Sequence, residues 1–310
     1  MTGLGILCPG QGHQHPAMFD KLLGCSATEN ALQSASAVFG CHPVEYFQQL
    51  SPQELFCNQP AQLLIGTLQM ATWAAIRDTL PTPNVFVGYS MGELVAYGCA
   101  GALSIDETLV LMKKRATLMD EVLLQPSGLL AVRGLHRIEI DCLCRSAGTE
   151  IAIINGPDHF VVGGPEEALT RCEHSPLTNK ATKIKRLQVT VPSHTSWLRE
   201  ASREFERELQ ASSIVAPSDP VLAGVSGFVV RTREQAVTAL NQQISKPINW
   251  MACMQAAVEM GCNVFLELGP GSALAKILQD LFPEITVRSV EDFRSLKGVT
   301  TWVEKQCEGT

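Results

Sequence analysis

The segment Val85-Phe86-Val87-Gly88-Tyr89-Ser90-Met91-Gly92 decides the fold and the chemistry that this chain can host. Its three apolar residues follow Pro81 and Pro83, which predicts a short buried strand. A Gly-x-Ser-x-Gly pattern comes directly after that strand, and an apolar segment of helical period begins at Leu94. In this context the pattern is typical of a sharp turn that holds a serine hydroxyl above the edge of a sheet. Ser90 is therefore a candidate nucleophile.

Strand, turn and helix follow one another at both ends of the chain. Residues 4–8 predict a first strand that ends in Pro9-Gly10-Gln11-Gly12, and residues 264–268 predict a late strand followed by a turn and a helix over 272–281. Helices are also predicted over 61–80, 94–103 and 105–122. Strands that alternate with helices form parallel sheets covered by helices. We therefore expect an α/β fold whose large, α/β-hydrolase-like domain spans residues 1–126 and 194–310.

The middle of the chain has a different order of elements. Apolar segments at 129–132, 151–154, 160–162 and 184–191 predict strands, and segments 138–146 and 166–172 predict helices. The order βαββαβ is typical of a ferredoxin-like unit, a small antiparallel sheet with two helices. We predict such a subdomain over residues 127–193, inserted into the larger domain.

The composition excludes several classes of protein. The 310 residues carry 24 Lys and Arg against 31 Asp and Glu, and the resulting charge of −7 argues against general nucleic-acid binding. The longest apolar segments reach about half of the roughly 20 residues that span a bilayer, and no basic residue precedes Pro9 as it would in a secretory signal. The eleven cysteines include no Cys-x-x-Cys pair, so we expect reduced thiols and no metal. We expect a cytoplasmic protein that binds neither nucleic acid nor membranes.

A serine hydroxyl is a weak nucleophile and needs a base. Among the seven histidines, His194 is the best candidate, because it follows an alternating strand and the break at Pro192-Ser193. The chain is expected to return there from the small subdomain to the large one, and clefts are common at such junctions. Spacing identifies no acidic third member of a triad.

Six sequence motifs extend over nearly the whole chain in a fixed order. They are Pro9-Gly10-Gln11-Gly12, Gly88-Tyr89-Ser90-Met91-Gly92-Glu93, Arg115 within a helix, Val191-Pro192-Ser193-His194, Gln243 before Pro247-x-x-Trp250, and Glu267-x-Gly269-Pro270-Gly271. In order and spacing they resemble the malonyl-CoA:acyl-carrier-protein transacylases. The set is much more specific than the serine motif alone, which many hydrolases share.

The resemblance implies a role for each of these residues. Ser90 would be the nucleophile and His194 its general base. The backbone N–H groups of Gln11 and Met91 would form the oxyanion hole. The main-chain carbonyl oxygen of Gln243 would hold the histidine ring in place of an aspartate, which explains why no acid is found.

Arg115 would select the substrate. A guanidinium makes two parallel hydrogen bonds to a carboxylate, so an arginine in the acyl pocket favours a thioester that ends in a free carboxylate. An acetyl group would leave the buried charge unpaired, at a cost of roughly 3–5 kcal/mol. The resemblance thus implies malonyl-CoA as the substrate, an acyl carrier protein as the partner, no permanently bound cofactor, and a ping-pong reaction through a malonyl-serine ester.

Tyr89 is where this chain departs from the family pattern, in which histidine usually precedes the serine. Tyrosine there, together with Val191-Pro192-Ser193-His194-Thr195, is similar to the malonyl transferase (epsilon) subunit of bacterial malonate decarboxylase. That resemblance implies a carrier subunit with a dephospho-CoA-derived thiol arm as the acceptor. The alternative is a phosphopantetheine arm in fatty-acid or polyketide synthesis. Alternatives from other classes are a serine esterase or thioesterase, which gives the acyl group to water, and a non-catalytic docking subunit.

Two further features concern the mouth of the expected cleft. Asn155, which precedes Gly156-Pro157, matches a family asparagine near the mouth and would be a substrate-binding donor. Residues 174–199 contain five basic residues and no acid: Lys180, Lys183, Lys185, Arg186 and Arg199. Such a segment is expected either to meet CoA phosphates or an acidic carrier protein, or to form a solvated strand face.

Overall fold

The structure is a computed structural model that describes residues 3–308. Its strands are β1 (Gly3–Cys8), β2 (Val85–Gly88), β3 (Ser127–Arg133), β4 (Glu150–Gly156), β5 (His159–Pro165), β6 (Lys183–Arg186), β7 (Val221–Leu222), β8 (Val229–Val230), β9 (Ile248–Asn249), β10 (Cys262–Glu267) and β11 (Thr286–Ser289). Its helices are α1 (Ser26–Phe39), α2 (Pro43–Gln49), α3 (Asn58–Ile76), α4 (Gly92–Cys99), α5 (Ile105–Glu121), α6 (Arg137–Ala147), α7 (Glu166–Glu173), α8 (Arg199–Ala211), α9 (Arg233–Ser245), α10 (Trp250–Glu259), α11 (Ala273–Leu281) and α12 (Leu296–Glu308). Over these residues no helix combines the length and the apolar character needed to cross a bilayer.

The larger sheet has the strand order β11-β10-β1-β2-β7-β8, and every neighbouring pair is parallel except β7 and β8. All residues of β1 and β2 are buried, as expected for strands covered on both faces. Parallel strands end at the same edge of a sheet, so the segment after β1 lies beside the turn after β2. The N–H of Tyr89 accordingly donates to the carbonyl oxygen of Cys8 at 2.9 Å. The predicted α/β class is confirmed.

The smaller sheet has the strand order β6-β3-β5-β4-β9. Its first four strands are antiparallel, in the order of a ferredoxin-like unit, and an apolar cluster that includes Leu143 of α6 and Leu169 of α7 packs against it. The short strand β9 pairs in parallel with β4, although it follows α9 in the chain. The segment after Gln243 thus connects the two sheets. The domain boundaries at 127–193 stay a prediction.

Several predicted elements have wrong ends. The helix predicted over 94–103 ends at Cys99, and the strand predicted over 160–162 extends to Pro165. The strand predicted over 184–191 stops at Arg186, because the chain then leaves the sheet on its way to His194. The helix predicted over 61–80 begins three residues earlier, at Asn58, and ends at Ile76. Pro60 fits within its first turn, where backbone N–H groups have no intrahelical partner.

Candidate active site

The turn between β2 and α4 holds Ser90 in a left-handed backbone conformation, with φ 58°. Such a conformation costs on the order of 1–3 kcal/mol for a residue other than glycine and persists only when the surroundings impose it. Here they do: a Cβ atom at Gly92 would lie 2.0 Å from the carbonyl oxygen of Cys8, and one at Gly88 would lie 2.1 Å from Cα of Glu93. The two glycines let the turn pack directly against the end of β1.

His194 is fully buried, also has a positive φ of 66°, and its N–H donates to the carbonyl oxygen of Ile244 at 2.9 Å. Its Nδ1 contacts the main-chain carbonyl oxygen of Gln243, and its Nε2 lies 2.8 Å from Ser90 Oγ. A carbonyl oxygen only accepts, so Nδ1 carries the proton and Nε2 is free to accept the proton of the serine hydroxyl. Burial, aided by the charge of Arg115, lowers the pKa of His194 to about 3, so the ring is neutral at physiological pH.

The backbone N–H groups of Gln11 and Met91 have no acceptor among residues 3–308. Gln69 Nε2 donates to the carbonyl oxygen of Pro9 at 2.8 Å and so fixes the start of the loop that carries Gln11. That loop packs on the serine turn: a Cβ atom at Gly10 would lie 3.1 Å from the carbonyl oxygen of Tyr89. Two free N–H groups close to a serine hydroxyl are what an oxyanion hole requires, and this role for them stays a prediction.

Arg115 lies on α5, only 1% exposed, and its two terminal nitrogens donate to carboxamide oxygens. Nη1 donates to Gln62 Oε1 at 2.7 Å and Nη2 to Gln243 Oε1 at 3.0 Å, whereas Nε has no partner among the described residues. Gln243 Nε2 in turn donates to the carbonyl oxygen of Ser90 at 2.8 Å. Gln243 therefore contacts Ser90, His194 and Arg115 at once.

Gln62 belongs to the site but was not predicted from the sequence. A polar residue at a buried position of the apolar helix α3 is the signal that indicates it.

The charge balance of the pocket favours an added anion. Glu93 is a candidate countercharge for Arg115. Burial raises the pKa of this carboxyl to about 8, although the N–H of Gly224 at 3.2 Å and the charge of Arg115 oppose that rise. The carboxyl is therefore mostly protonated at neutral pH. Burial also lowers the pKa of Arg115, to about 10, which leaves it a cation. A buried cation whose partners are neutral amides is a strong site for a carboxylate.

A cleft of about 680 Å³ runs between the two sheets beside this site. Gln11 and Tyr89 line it from the larger sheet, and Asn155 on β4 lines it from the smaller sheet, whereas Ser90, His194 and Arg115 are not among its lining residues. Asn155 is 2% exposed, and its Oδ1 has no partner among the described residues. Tyr89 packs edge-on against the buried Trp250, with ring centroids 5.2 Å apart, and burial raises the pKa of its hydroxyl. Tyr89 thus forms a rigid wall next to Ser90.

The basic segment divides into paired and unpaired side chains. Lys180 contacts Glu139 at 3.0 Å, and Arg186 contacts Glu173 at 2.8 Å, so acids outside the segment neutralise these two charges. Lys183 and Lys185 lie two residues apart on β6, project from the same face and line the cleft, and neither has an ion pair within residues 3–308. Of the five basic residues of the segment, Lys183 and Lys185 therefore face the cleft without an ion pair in the described part of the chain, Arg199 lies outside its lining, and Lys276 on α11 adds a further cation to it.

The family of this chain follows from comparison with known proteins. The family described as acyl transferase domain matches residues 6–306. The malonyl CoA-acyl carrier protein transacylase of Haemophilus influenzae is 27% identical over 315 residues, which cover 96% of this chain and 98% of that protein. The polyketide biosynthesis protein ThaF of Burkholderia thailandensis is 32% identical over 230 residues, 73% of this chain, but the chain spans only 20% of that protein.

Two solved structures share the fold. The malonyl CoA-acyl carrier protein transacylase from Coxiella burnetii superposes with a TM-score of 0.92 at 27% identity, covering 98% of each chain. A malonyl-transacylase solved in complex with its type II polyketide synthase acyl-carrier protein gives a TM-score of 0.91 at 25% identity, covering 97% of this chain and 99% of that chain. The chain belongs to the acyl transferase domain family, and it is an acyltransferase.

Proposed function

We propose that this chain transfers a malonyl group from malonyl-CoA to the thiol of an acyl carrier protein, through a malonyl ester on Ser90. The observation that carries the proposal is the buried guanidinium of Arg115, which Gln243 joins to the serine backbone by two hydrogen bonds, of 3.0 and 2.8 Å. A reactive serine beside a buried cation suits an acyl group that ends in a carboxylate. The names of the relatives support the same substrate.

In the first half-reaction, the malonyl carboxylate binds Arg115 and the thioester carbonyl carbon lies against Ser90 Oγ. The hydroxyl attacks as His194 Nε2 takes its proton, which forms a C–O bond and puts negative charge on the carbonyl oxygen. The N–H groups of Gln11 and Met91 stabilise that oxyanion. Its collapse breaks the C–S bond, and CoA leaves as a thiol after taking the proton from the imidazolium.

In the second half-reaction, the thiol of the carrier arm enters the same cleft. His194 removes the thiol proton, the sulfur attacks the ester carbonyl, and the proton passes to Ser90 as the C–O bond breaks. The two half-reactions use the same groups in reverse order, so the kinetics are of the ping-pong type. Lys183 and Lys185 suit the phosphate that both CoA and a carrier arm have at the far end of the pantetheine chain.

For the acceptor, we propose first the carrier of fatty-acid or polyketide synthesis. The names of the matched relatives support this acceptor, and one similar structure contains a type II polyketide synthase acyl-carrier protein. This order is the reverse of the one that Tyr89 indicated in the sequence. The carrier subunit of malonate decarboxylase is the second candidate, favoured by the segment Val191-Pro192-Ser193-His194-Thr195 and by Tyr89, whose ring forms the cleft wall next to Ser90.

Intact-mass spectrometry after incubation with malonyl-CoA tests the ester. The expected result is a mass gain of one malonyl group in the wild type and in Ser36→Ala, a control that removes a serine on α1, and no gain in Ser90→Ala. Ser90-independent labelling would contradict the proposal. Rapid release of free malonate, without transfer to any carrier, would instead indicate a thioesterase.

A transfer assay with two carriers tests the acceptor. The labelled enzyme is offered an acyl carrier protein with a phosphopantetheine arm and a carrier with the dephospho-CoA-derived arm, at equal concentration. Preferential loading of the first is expected, and preferential loading of the second would support the decarboxylase assignment. Tyr89→His is the informative variant, because it changes the cleft wall and leaves Ser90 and Arg115 in place.

A further inference from the structure

A chain of buried hydrogen bonds leads from Asp120, at the exposed end of α5, to Arg115. Asn58 Nδ2 donates to Asp120 Oδ1 at 2.9 Å and to the carbonyl oxygen of Ala116 at 3.2 Å. Asn58 Oδ1 accepts from Gln62 Nε2 at 2.6 Å, and Gln62 Oε1 accepts from Arg115 Nη1 at 2.7 Å. Asn58, Gln62 and Arg115 are each at most 3% exposed, so water does not compete for these groups.

The chain has only one possible polarity. A carboxamide has an accepting end and a donating end, a carbonyl or carboxylate oxygen only accepts, and a guanidinium only donates. Because acceptors stand at one end and Arg115 at the other, Asn58 and Gln62 must both point their oxygens towards Arg115. If the Gln62 carboxamide were reversed, its NH₂ group would face the guanidinium, and two buried donors would lack acceptors.

We infer that Asn58 is a positioning residue for the acyl pocket. It touches no substrate, but it fixes the direction of the Gln62 carboxamide, which then holds one terminal nitrogen of Arg115 while Gln243 holds the other. The guanidinium is thereby kept in one orientation, with Nε and the remaining terminal N–H groups available to a carboxylate. Asn58 and Gln62 lie four residues apart on α3, one turn of the same helix face, opposite α5. The inference rests on the proposed function, in which Arg115 binds the malonyl carboxylate.

Substitution of Asn58 by leucine removes both the donor and the acceptor. The KM for malonyl-CoA should rise on the order of tenfold, the effect of one weakened hydrogen bond to a charged group, while kcat and the slow reaction with acetyl-CoA stay close to wild type. Thr117→Val is the matched control, because it removes a different α3–α5 hydrogen bond, from Gln59 Nε2 to Thr117 Oγ1 at 2.8 Å. It should change the kinetic constants for neither thioester. Equal losses with both thioesters in Asn58→Leu would show a merely structural role and overturn the inference.

An isosteric pair of substitutions tests the polarity even if Asn58→Leu does not fold. In Asn58→Asp, one carboxylate oxygen can still accept from Gln62, but the other faces the carboxylate of Asp120. Repulsion between the two carboxylates should displace the substituted side chain from Gln62, so malonyl selectivity should fall. Adding Asp120→Asn supplies a donor at that position and should recover most of the selectivity. Asp120→Asn alone should stay near wild type, because its amide oxygen still accepts from Asn58. A double variant no better than Asn58→Asp would overturn the inference.

Arg115→Ala, measured in the same assay, separates this inference from the proposed function. If it leaves the ratio of malonyl to acetyl rates unchanged, the proposed function fails, and with it the inference. If Arg115→Ala abolishes the malonyl preference while the Asn58 variants retain it, only the positioning role of Asn58 is overturned.

Discussion

Gln243 holds the ring of His194 with its main-chain carbonyl oxygen, so the imidazole is oriented by a neutral acceptor and not by a carboxylate. A side-chain substitution at position 243 leaves that carbonyl in place. The side chain is free for other contacts, and it donates to Ser90 and accepts from Arg115. His194 and Arg115 therefore share one residue but contact different parts of it.

Gln243→Leu separates these two contributions. The main-chain contact to His194 persists, so Ser90 should still be acylated, whereas Arg115 loses one of its two orienting acceptors. We expect the KM for malonyl-CoA to rise on the order of tenfold, with a smaller change for acetyl-CoA. Steady-state kinetics with both thioesters check this. Complete loss of acylation with both would show that the side chain also positions the base.

The low pKa of His194 predicts an unusual pH profile. The neutral fraction of a histidine with an ordinary pKa would fall about thirtyfold on acidification from neutral pH to about pH 5. His194, with a pKa of about 3, should lose almost none, so the rate of Ser90 acylation should stay nearly flat over that range. Stopped acylation reactions analysed by mass spectrometry measure it. A fall in rate centred near pH 6.5 would contradict the prediction.

The lowered pKa of His194 also destabilises the fold in acid. The unfolded chain protonates this histidine near pH 6.5, but the folded chain does so only near pH 3. The unfolded state therefore binds more protons between these values, and this residue lowers the free energy of unfolding as the pH falls from about 6.5. His194→Gln should weaken the pH dependence in urea titrations across that window. An unchanged dependence would contradict the shift.

The raised pKa of Glu93 should make the fold less stable as the pH rises, which is the opposite of the effect of His194. Its pKa is about 8 when folded and near 4.5 when unfolded, so the folded state holds the extra proton between those values. The free energy of unfolding should fall as the pH rises through this window, because the unfolded state alone gains by ionising. Glu93→Gln cannot titrate and should remove this contribution, which urea unfolding near pH 5 and pH 8 will detect. An equally steep decline in the variant would contradict the prediction.

The serine turn should not tolerate a side chain at Gly92. The Cβ atom of Gly92→Ala would meet the backbone carbonyl of Cys8 at 2.0 Å, so either β1 or the turn must move. We expect Ser90 acylation to fall by orders of magnitude. Gly298→Ala, on α12, is the control, because its nearest neighbour lies 3.6 Å away and alanine favours a helix. Mass spectrometry reports acylation, and thermal unfolding shows whether each variant folds.

Much of the fold follows from local signals in the sequence. The strand, turn and helix around Ser90 and the alternation of elements predict the α/β class, because these depend on apolar period and on Pro and Gly. No helix was predicted from the sequence for the segments that form α1, α8 and α9. The end of β6 was misplaced, since residues 187–191 alternate like a strand but leave the sheet to deliver His194. That departure depends on tertiary contacts, which periodicity does not encode.

The site was predicted unevenly for a similar reason. Motifs identify residues whose chemistry is local, such as Ser90, but the contacts of Gln62 and Glu93 depend on which helices pack together. The sequence showed the basic segment without its partners, because Glu139 and Glu166 lie outside it. Polar groups at buried positions of apolar helices are the signal that indicates such residues.

The most direct test of the central claim is the ratio of kcat/KM for Ser90 acylation by malonyl-CoA and by acetyl-CoA, in the wild type and in Arg115→Ala. We predict a strong preference for malonyl-CoA in the wild type and its loss, by about two orders of magnitude or more, in the variant, because a buried charge pair is removed. A ratio that Arg115→Ala leaves unchanged would contradict the assignment of the guanidinium as the carboxylate site.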